Sequence, residues 1–462
     1  MAQPPNILLF LTDDHAQWAM GCAGNSELRT PTFDYLAQHG VRFANAFTPT
    51  PVCSPARACL LTGRLASQHG IHDYLASGDP EVNNIHWLAE ETTLAQLFQA
   101  AGYQTGQFGK WHLGQDEHAA PGYDEWFSLG RDYPIPHEGP FKYGVNGRCQ
   151  TLPGRLSHNI TERAVHFLRA CDGTRPFFMT VGYYATHSPW EGQTERLVAA
   201  YRNATFADVP LDETYPFGVQ NLESTNETRH NPREALAQYY AAVTEIDTAV
   251  GRLIDELESS GQLHNTIIIY TADHGLNTGH HGIWGKGNGT LPLNMVEESI
   301  RVPLVWYDGR SPQGQQLRPE FVDHLDTFQT ILDVAGIVPP DKNYVGRSFQ
   351  RLLHNDSFPE WRAVQFGEYG NVRMIRTSRH KLVYRHPDGP HELFDLAADP
   401  REMNNVIDRG DLRPIVQAFI GRLEGFFTRY EDPAKSGLRV QDLPRHNASE
   451  AWRTPISPET EK

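Results

Sequence analysis

The chain has 462 residues, of which 39% are hydrophobic, and its formal net charge is −16 at pH 7. This length fits one large domain with a smaller one beside it. Because nucleic-acid-binding proteins are usually basic, the charge argues against a nucleic-acid partner, and an anionic substrate would require a local cluster of cations. No apolar run reaches the roughly 18 residues of a membrane-spanning helix, so we expect no membrane span.

The N-terminal segment MAQPPNILLFLTDD has neither the basic start nor the small-residue cleavage site of a signal peptide. Its apolar part, Ile7 to Leu11, ends at two aspartates and predicts a buried strand. As the sequence stands we expect a cytoplasmic protein, whereas a signal peptide removed ahead of this start would make it periplasmic or secreted. The five cysteines are scattered without a C-x-x-C pair, so neither a disulfide framework nor a zinc knuckle is expected.

Strand and helix signals alternate over the first 355 residues. In chain order, the predicted elements are strand Asn6–Leu11, a helix from Thr30-Pro31 to Gly40, strand Val41–Phe47, helix Thr93–Ala101, a strand ending at Phe108, strand Pro176–Tyr183, helix Glu234–Ser260, and strands Thr266–Tyr270 and Val302–Trp306. This alternation predicts an α/β fold in which helices sandwich a large, mainly parallel sheet.

The pattern changes after about residue 355. The stretches WRAVQFGEYG, VRMIRTSRHKLVYR and HELFDL predict short antiparallel strands, and a helix is predicted around Leu412–Phe427. From Asp432 the tail is polar and contains prolines, so we expect it to wrap over the surface or to fray. These changes predict a catalytic α/β domain over residues 1–355 and a smaller C-terminal α+β subdomain over 356–462, built on a small antiparallel sheet.

Acidic residues directly follow two of the predicted strands. Asp13 and Asp14 come after the first strand, and Asp273 and His274 come after the strand TIIIY. Ligands of open α/β sheets collect at the carboxyl ends of the strands, so these side chains would meet if the two strands were neighbours. Each pair alone is typical of a turn or a loop start. Together they favour a cation, because close carboxylates repel one another, and oxygen ligands with one nitrogen suit calcium or manganese.

A cysteine stands at the predicted start of a helix. Residues Pro55 to Leu61 predict a short helix ending near Gly63, which places Cys53 just before the helix N-terminus, where backbone amides favour anions. Arg57, one turn further on, can reach the same anion. The pair has two interpretations, a buried structural cysteine next to a surface arginine or a reactive site, and the rarity of the Cys-x-Pro-x-Arg spacing favours the second without deciding it.

Three further polar clusters follow strand-like segments. FGKWHLG contains Lys110 and His112, YYATHSPW contains His187, and HHGIWGKGNGT contains Lys286. Each of these side chains alone is typical of a solvated loop. The Gly and Trp residues around both lysines, however, are unlike a plain solvated surface.

These motifs together resemble the type I, formylglycine-dependent sulfatases, the arylsulfatase family within the alkaline phosphatase superfamily. The stretch CSPARACLLTGR, which begins at Cys53, matches the family's modification signature, and GYQTGQFGKWHLG matches its second signature. The N-terminal NILLFLTDD, the DHG after a strand and the C-terminal ELFDLAADPREMNN also fit, so the likeness runs from about residue 6 to 405. It implies an alkaline phosphatase-like fold and a sulfuric ester hydrolase.

The resemblance also implies a modified nucleophile. A separate formylglycine-generating maturation enzyme would oxidise Cys53 to formylglycine, which hydrates to a gem-diol. One hydroxyl would attack the sulfur of the substrate, and the other would later expel sulfate as the aldehyde re-forms. A plain serine or cysteine has no second hydroxyl for that last step.

Roles for the surrounding residues follow from the same resemblance. One divalent cation, calcium first and manganese as the alternative, would be bound by the residue-53 diol together with Asp13, Asp14, Asp273 and His274. Arg57 would steady the diol, Lys110 and Lys286 would hold sulfate oxygens, His112 would contact the second hydroxyl, and His187 would protonate the leaving oxygen.

Two other functions stay open. Many family members carry Asn where this chain has His274, and some members with His resemble phosphonate monoester and phosphodiester hydrolases. The second alternative is a catalytically silent binding protein. Within the sulfatase interpretation, a saccharide sulfate is the favoured substrate, and specificity is expected in loops 115–155 and 188–232, with groups lent by the C-terminal domain. The polar and aromatic candidates in these loops are Trp126, Tyr133, His137, Trp190 and Arg202.

Overall fold

The computed structural model describes residues 3–453 apart from positions 77, 131–136, 212, 215, 221–230, 313, 341, 355 and 357. In chain order the strands are β1 (Asn6–Thr12), β2 (Val41–Phe47), β3 (Gln104–Gly109), β4 (Glu125–Leu129), β5 (Phe141–Val145), β6 (Arg148–Leu152), β7 (Phe177–Gly182), β8 (Val219–Gln220), β9 (Thr266–Ala272), β10 (Asn277–Thr278), β11 (Trp284–Gly285), β12 (Thr290–Leu291), β13 (Leu304–Asp308), β14 (Gln316–Asp323), β15 (Val364–Tyr369), β16 (Val372–Thr377), β17 (His380–Arg385) and β18 (Glu392–Asp395).

The α-helices lie between and after these strands. They are α1 (Pro31–Gln38), α2 (Cys53–Thr62), α3 (Ala66–His69), α4 (Pro80–Asn83), α5 (Leu94–Ala100), α6 (Leu156–Ala170), α7 (Glu195–Ala199), α8 (Pro232–Ser259), α9 (Glu297–Ile300), α10 (His324–Ala335), α11 (Gln350–Leu353) and α12 (Arg413–Tyr430). Within the described ranges, no helix combines the length and apolar character that a membrane crossing requires.

A ten-stranded sheet forms the centre of the molecule, in the order β14-β2-β13-β9-β1-β7-β3-β4-β5-β6. Strands β9, β1, β7, β3 and β4 are parallel neighbours, whereas β13 runs antiparallel between β9 and β2, and β5 and β6 form an antiparallel edge. The predicted α/β class is confirmed. Strand β13 begins two residues later than predicted, since Pro303 has no N–H for the ladder.

Alternate side chains of each central strand enter two separate cores. On β1, Leu8 and Phe10 pack with α6 and α8 on one face, and Ile7 and Leu9 pack with α2, α5 and α10 on the other. Because both faces of a parallel sheet are covered, its strands are apolar throughout, which is why β1 and β9 are fully buried. The helices on both faces hold the strand ends rigidly in register.

The C-terminal part forms a second sheet, antiparallel and four-stranded, in the order β15-β16-β17-β18. One face packs on α12 and the other on the large sheet's end, where Phe47 and Val52 share a cluster with Tyr369 and Met374. This confirms the predicted antiparallel subdomain. The boundary near residue 355 stays a prediction.

Over its described length the tail after Asp432 wraps over the surface, with residues such as Asp442 and Arg445 exposed, but part of it is buried, which was not expected. His446, Asn447 and Glu450 are buried against the loop that follows α3. The His446 ring stacks on Trp87 with centroids 5.1 Å apart. Polar composition predicted exposure, but these polar groups are satisfied by one another and by backbone, which makes their burial possible.

We expect Gly109→Ala to destabilise the protein strongly. Gly109 ends β3 with φ +97°, and a Cβ there would collide with the Gly182 carbonyl oxygen. The strain and the clash should lower the free energy of unfolding by about 2 kcal/mol or more. Gly102→Ala is the matched control, since Gly102 has φ +88° but open space around it. Urea unfolding curves of both variants test this, and equal losses would contradict it.

Candidate active site

Four parallel strands deliver polar residues to one edge of the sheet. Thr12 of β1 pairs with Ala272 of β9, so Asp13 and Asp273 follow the two strands side by side. The Asp273 amide donates to the Thr12 carbonyl at 3.0 Å, and the Lys110 amide, just after β3, donates to Gly182 of β7 at 2.9 Å. The residues predicted from separate strand ends therefore come together.

Cys53 lies at the centre of this cluster. It is the first residue of α2, which begins two residues before the predicted start at Pro55, and it is 2% exposed. Its Sγ lies 3.2 Å from Lys286 Nζ and 3.4 Å from His274 Nε2. Burial alone would raise the pKa of the Cys53 thiol, but Lys110, Lys286 and His274 bring it well below its ordinary value. The surroundings thus stabilise an anion at position 53, as the free amides of a helix N-terminus also do.

Four of the predicted ligands form a candidate metal centre. Ligand atoms of Asp13, Asp14, Cys53 and His274 all lie within 4.8 Å of one another, and all four residues are buried. Asp13 Oδ1 has no hydrogen-bond partner among the described residues. A buried carboxylate oxygen without a hydrogen-bond partner can bind a cation instead. With the other oxygen donors and one imidazole beside it, the group fits a divalent cation such as calcium or manganese.

Asp273 lies beside the cluster, with its oxygens already engaged. Oδ2 accepts from Arg57 Nε at 2.9 Å, and Oδ1 accepts from the His274 amide at 2.9 Å and lies 3.5 Å from His274 Nε2. Burial raises the pKa of Asp273 to about 7. Burial opposes a charge on His274, but Asp273 and Asp14 raise the pKa of its ring to about 9. Burial and the neighbouring Asp13 carboxylate thus disfavour the charged form of Asp273, whereas the carboxylates favour the charged form of His274.

The two predicted lysines contact the same carboxylates. Lys110 Nζ donates to Asp13, and Lys286 Nζ donates to Asp14 Oδ1 at 2.7 Å. Lys286 also lies 3.2 Å from both Cys53 Sγ and His187 Nε2, so three acceptors surround its three donor hydrogens. A bound anion would accept from these ammonium groups in place of the present partners.

The two histidines have distinct environments. His112 Nε2 lies 2.8 Å from the Leu75 carbonyl oxygen and can only donate to it, and burial lowers the His112 pKa to about 4. A neutral ring that donates from Nε2 presents Nδ1 as an acceptor. His187 donates from Nδ1 to the Ser188 carbonyl, which directs Nε2 towards Lys286. Asp14 and His112 both have positive φ, 48° and 60°, backbone strain of the kind that clusters at functional sites.

A cavity of about 440 Å³ opens onto Cys53. Its described lining includes Asp14, Lys110, His112, His187 and Lys286 from the cluster. The remaining lining residues come from the loop after α3 (Asp73 to Ala76 and Gly78), from Tyr184 and Ser188 after β7, from Gly285 and the segment Asn288 to Leu293, and from the tail residues Ser449 and Ala451. Ser188 is the first residue of the predicted specificity loop 188–232. A volume of this size suits a small organic ligand.

The predicted specificity residues do not line this cavity. Trp126 and Trp190 are buried in the hydrophobic cores, because their rings pack with other aromatic residues there. His137 is buried against the Pro189 carbonyl, and Arg202 pairs with glutamates at the surface. Tyr133 lies outside the described residues.

The loop after α3 was not predicted to take part in the cavity, and the groups expected from the C-terminal domain were not assigned to the tail. Tyr74 and Ser449 lie 375 positions apart in the chain, and neither belongs to a periodic or spaced motif. No local signal could have paired them.

A second acidic grouping, His281, Glu298 and Glu402, is likewise buried or half-buried, but Lys381 and His281 already pair with its carboxylates.

Comparison with protein-family models decides the family. The Sulfatase model matches residues 5–337, and the model for the C-terminal part of N-sulphoglucosamine sulphohydrolase matches residues 279–428. This chain belongs to the sulfatase family. As a sulfatase it is a sulfuric ester hydrolase, and the enzyme class and fold expected from the sequence motifs are confirmed.

Individual relatives extend over nearly the whole sulfatase chain. An N-acetylglucosamine-6-O-sulfatase of Bacteroides thetaiotaomicron is 27% identical, over 93% of this chain and 87% of the relative. A solved structure described as in complex with its substrate D-glucosamine-2-N,6-O-disulfate has a TM-score of 0.80 and 25% identity, covering 93% of this chain and 98% of the other. The phosphonate monoester hydrolase of Agrobacterium radiobacter, at 22% identity and TM-score 0.70 over 92% and 96% of the two chains, shares the fold.

We expect one divalent cation to bind per chain and Asp13→Asn to weaken it by at least about tenfold, because the variant replaces a buried charged oxygen by an amide. Isothermal titration with Ca²⁺ and with Mn²⁺ measures the affinity and ranks the two ions. Asp247→Asn is the control, since this buried aspartate accepts from the Phe33 amide at 2.8 Å away from the site. Equal affinity in wild type and Asp13→Asn would contradict the assignment.

Proposed function

We propose that this sulfatase hydrolyses a sulfate monoester on a saccharide, with residue 53 as the nucleophile after its conversion to formylglycine. The observation that carries the proposal is the position of Cys53. It stands at a helix N-terminus, within 3.4 Å of a lysine and of a histidine, beside a carboxylate cluster and open to a cavity. Maturation by a separate formylglycine-generating enzyme is part of this proposal.

The metal ligands in this proposal are Asp13, Asp14, Asp273 and His274 together with residue 53. A cation bound there, calcium in the first instance, would supply positive charge beside the nucleophile and the sulfate oxygens. Arg57 holds Asp273 in place through its 2.9 Å ion pair and so fixes this side of the site. The ion's identity belongs to the proposal.

Sulfate binding is assigned to Lys110 and Lys286. Both ammonium groups line the cavity and now contact carboxylates, and a sulfate would accept from them at the same place. The backbone amides at the start of α2 add positive potential at residue 53. A protein with charge −16 can thus accept an anion, because the cations are concentrated where the ester group lies.

Proton transfer is assigned to the two histidines. His187 is 22% exposed at its side chain and lines the cavity. Once a sulfate replaces His187 as a partner of Lys286, Nε2 can carry a proton and would donate it to the leaving alcohol. His112 presents an unprotonated Nδ1 on the side of residue 53 and would take the proton of the second hydroxyl. Formylglycine itself would supply two hydroxyls on one carbon, one for attack at sulfur and one for the release of sulfate.

The saccharide as alcohol part is supported by two relatives. One relative is an N-acetylglucosamine-6-O-sulfatase, and one similar structure is a complex with a glucosamine disulfate. Those two proteins therefore act on or bind sulfated amino sugars. The test is a desulfation screen of the mature enzyme over sulfated amino sugars, nitrophenyl sulfate, choline sulfate and a phenyl phosphonate ester. We expect the highest kcat/KM on a sulfated sugar. A preference for the phosphonate ester would favour the phosphonate hydrolase alternative, and no turnover of any ester would favour the silent binding protein.

Cys53→Ser should abolish multiple turnover. Its single hydroxyl can be sulfated but cannot expel sulfate, so we expect at most one alcohol released per enzyme molecule and a stable sulfated protein. Rapid-quench kinetics with intact-protein mass spectrometry measures both. Sustained turnover by Cys53→Ser at the wild-type rate would contradict the proposed mechanism.

Lys110→Ala and Lys286→Ala should each cost about 2–4 kcal/mol of transition-state stabilisation, as the loss of an oxyanion donor does. The measurement is kcat/KM on nitrophenyl sulfate. Lys342→Ala is the control, because Lys342 lies outside the cavity lining and donates to the Glu90 carbonyl. A variant with wild-type kcat/KM would remove that lysine from the sulfate site.

A further inference from the structure

One part of the cavity wall comes from the tail of the chain. Ser449 and Ala451 line the cavity together with Asp73 and Tyr74 of the loop after α3. The tail residues Ser449 and Ala451 lie beyond both family-model matches, which end at residues 337 and 428. We call Asp73, Tyr74 and Ser449 the tail wall.

The tail is fixed against the loop by a buried polar network. The Ala76 amide donates to the His446 carbonyl at 2.9 Å, and Asn447 Nδ2 donates to the Tyr74 carbonyl at 2.9 Å. His446 and Glu450, both buried, contact each other at 2.7 Å. Because buried polar groups hold a shape only when they are satisfied, this network gives the tail wall a defined geometry.

The hydrogen bonds at Ser449 leave an acceptor facing the cavity. The Ser449 hydroxyl lies 3.2 Å from Asn447 Oδ1, to which it can only donate, and 2.7 Å from the Tyr74 hydroxyl, which then donates to it. A serine oxygen with one donor hydrogen used and one lone pair used can still accept one hydrogen bond.

Asp73 adds acceptor character to the same wall. Its Oδ1 accepts from the Tyr369 hydroxyl at 2.6 Å and from the Tyr74 amide at 2.8 Å. Tyr369 belongs to β15, so the C-terminal sheet, the loop and the tail meet at this residue. Three oxygen-bearing side chains and no cationic group in this wall suit a neutral ligand group that donates hydrogen bonds.

We propose that the tail wall binds a hydroxyl group of the sugar and makes Tyr74 and Ser449 specificity-determining residues. The sulfate would lie next to residue 53, between Lys110 and Lys286. A hydroxyl group of the sugar ring would donate to Ser449 in the tail wall of the same cavity. This inference rests on the proposed saccharide substrate, since an aryl sulfate has no such hydroxyl.

Ser449→Ala and Tyr74→Phe test it. Each should lower kcat/KM for the best sulfated sugar of the screen about five- to tenfold, mainly through KM, which corresponds to one lost hydrogen bond. Their kcat/KM for nitrophenyl sulfate should stay within about twofold of wild type. The double variant should lose less than the product of the single losses, because the two hydroxyls act as a pair.

Asp442→Asn is the matched control, because Asp442 is an exposed tail residue that pairs only locally with Arg439 at 3.2 Å. Both activities of this variant should equal those of the wild type. If Ser449→Ala loses kcat/KM equally on sugar and aryl sulfates, the hydroxyl has a structural role and the inference is overturned. An unchanged kcat/KM on the sulfated sugar would also overturn it. A wild type that cleaves aryl sulfate but no sulfated sugar would instead overturn the proposed substrate class.

Discussion

Register between parallel strands holds the active site together. Asp13 and Asp273 follow residues that pair across β1 and β9, so backbone hydrogen bonds and the apolar faces of the sheet bring the two carboxylates close. The carboxylates themselves would repel. Burial raises the pKa of Asp273, and the neighbouring Asp13 carboxylate raises it further. Burial of the strands on both faces, by the two hydrophobic cores, supplies the stabilisation that such an arrangement of like charges needs.

Positive charge balances the cluster from several directions. Arg57 approaches from α2, Lys110 from the end of β3, and Lys286 from the loop after β11. Each makes a buried ion pair, and each comes from a different element. The local field at residue 53 can therefore be cationic although the whole chain is acidic, and the same field that lowers the pKa of the thiol would attract a sulfate ester.

Short-range patterns predicted most of this arrangement. The apolar run of β1, the strand TIIIY and the spacing from Cys53 to Arg57 gave the fold class and brought the site residues onto one sheet edge. Sequence failed where a contact joins distant segments through ordinary residues. Trp126 is a core residue because its ring finds aromatic neighbours, and the tail is buried because His446 and Asn447 find partners near position 74. Neither partner is visible in local composition.

The folded-back tail has a consequence for how the protein is made. Ribosomes release the N-terminal end first, so the strand ends, residue 53 and both lysines leave the exit tunnel long before positions 446–451. Until this later segment emerges and docks beside Tyr74, the cavity lacks the part of its wall that Ser449 and Ala451 provide. Docking of this late-synthesised segment therefore completes the wall of the cavity.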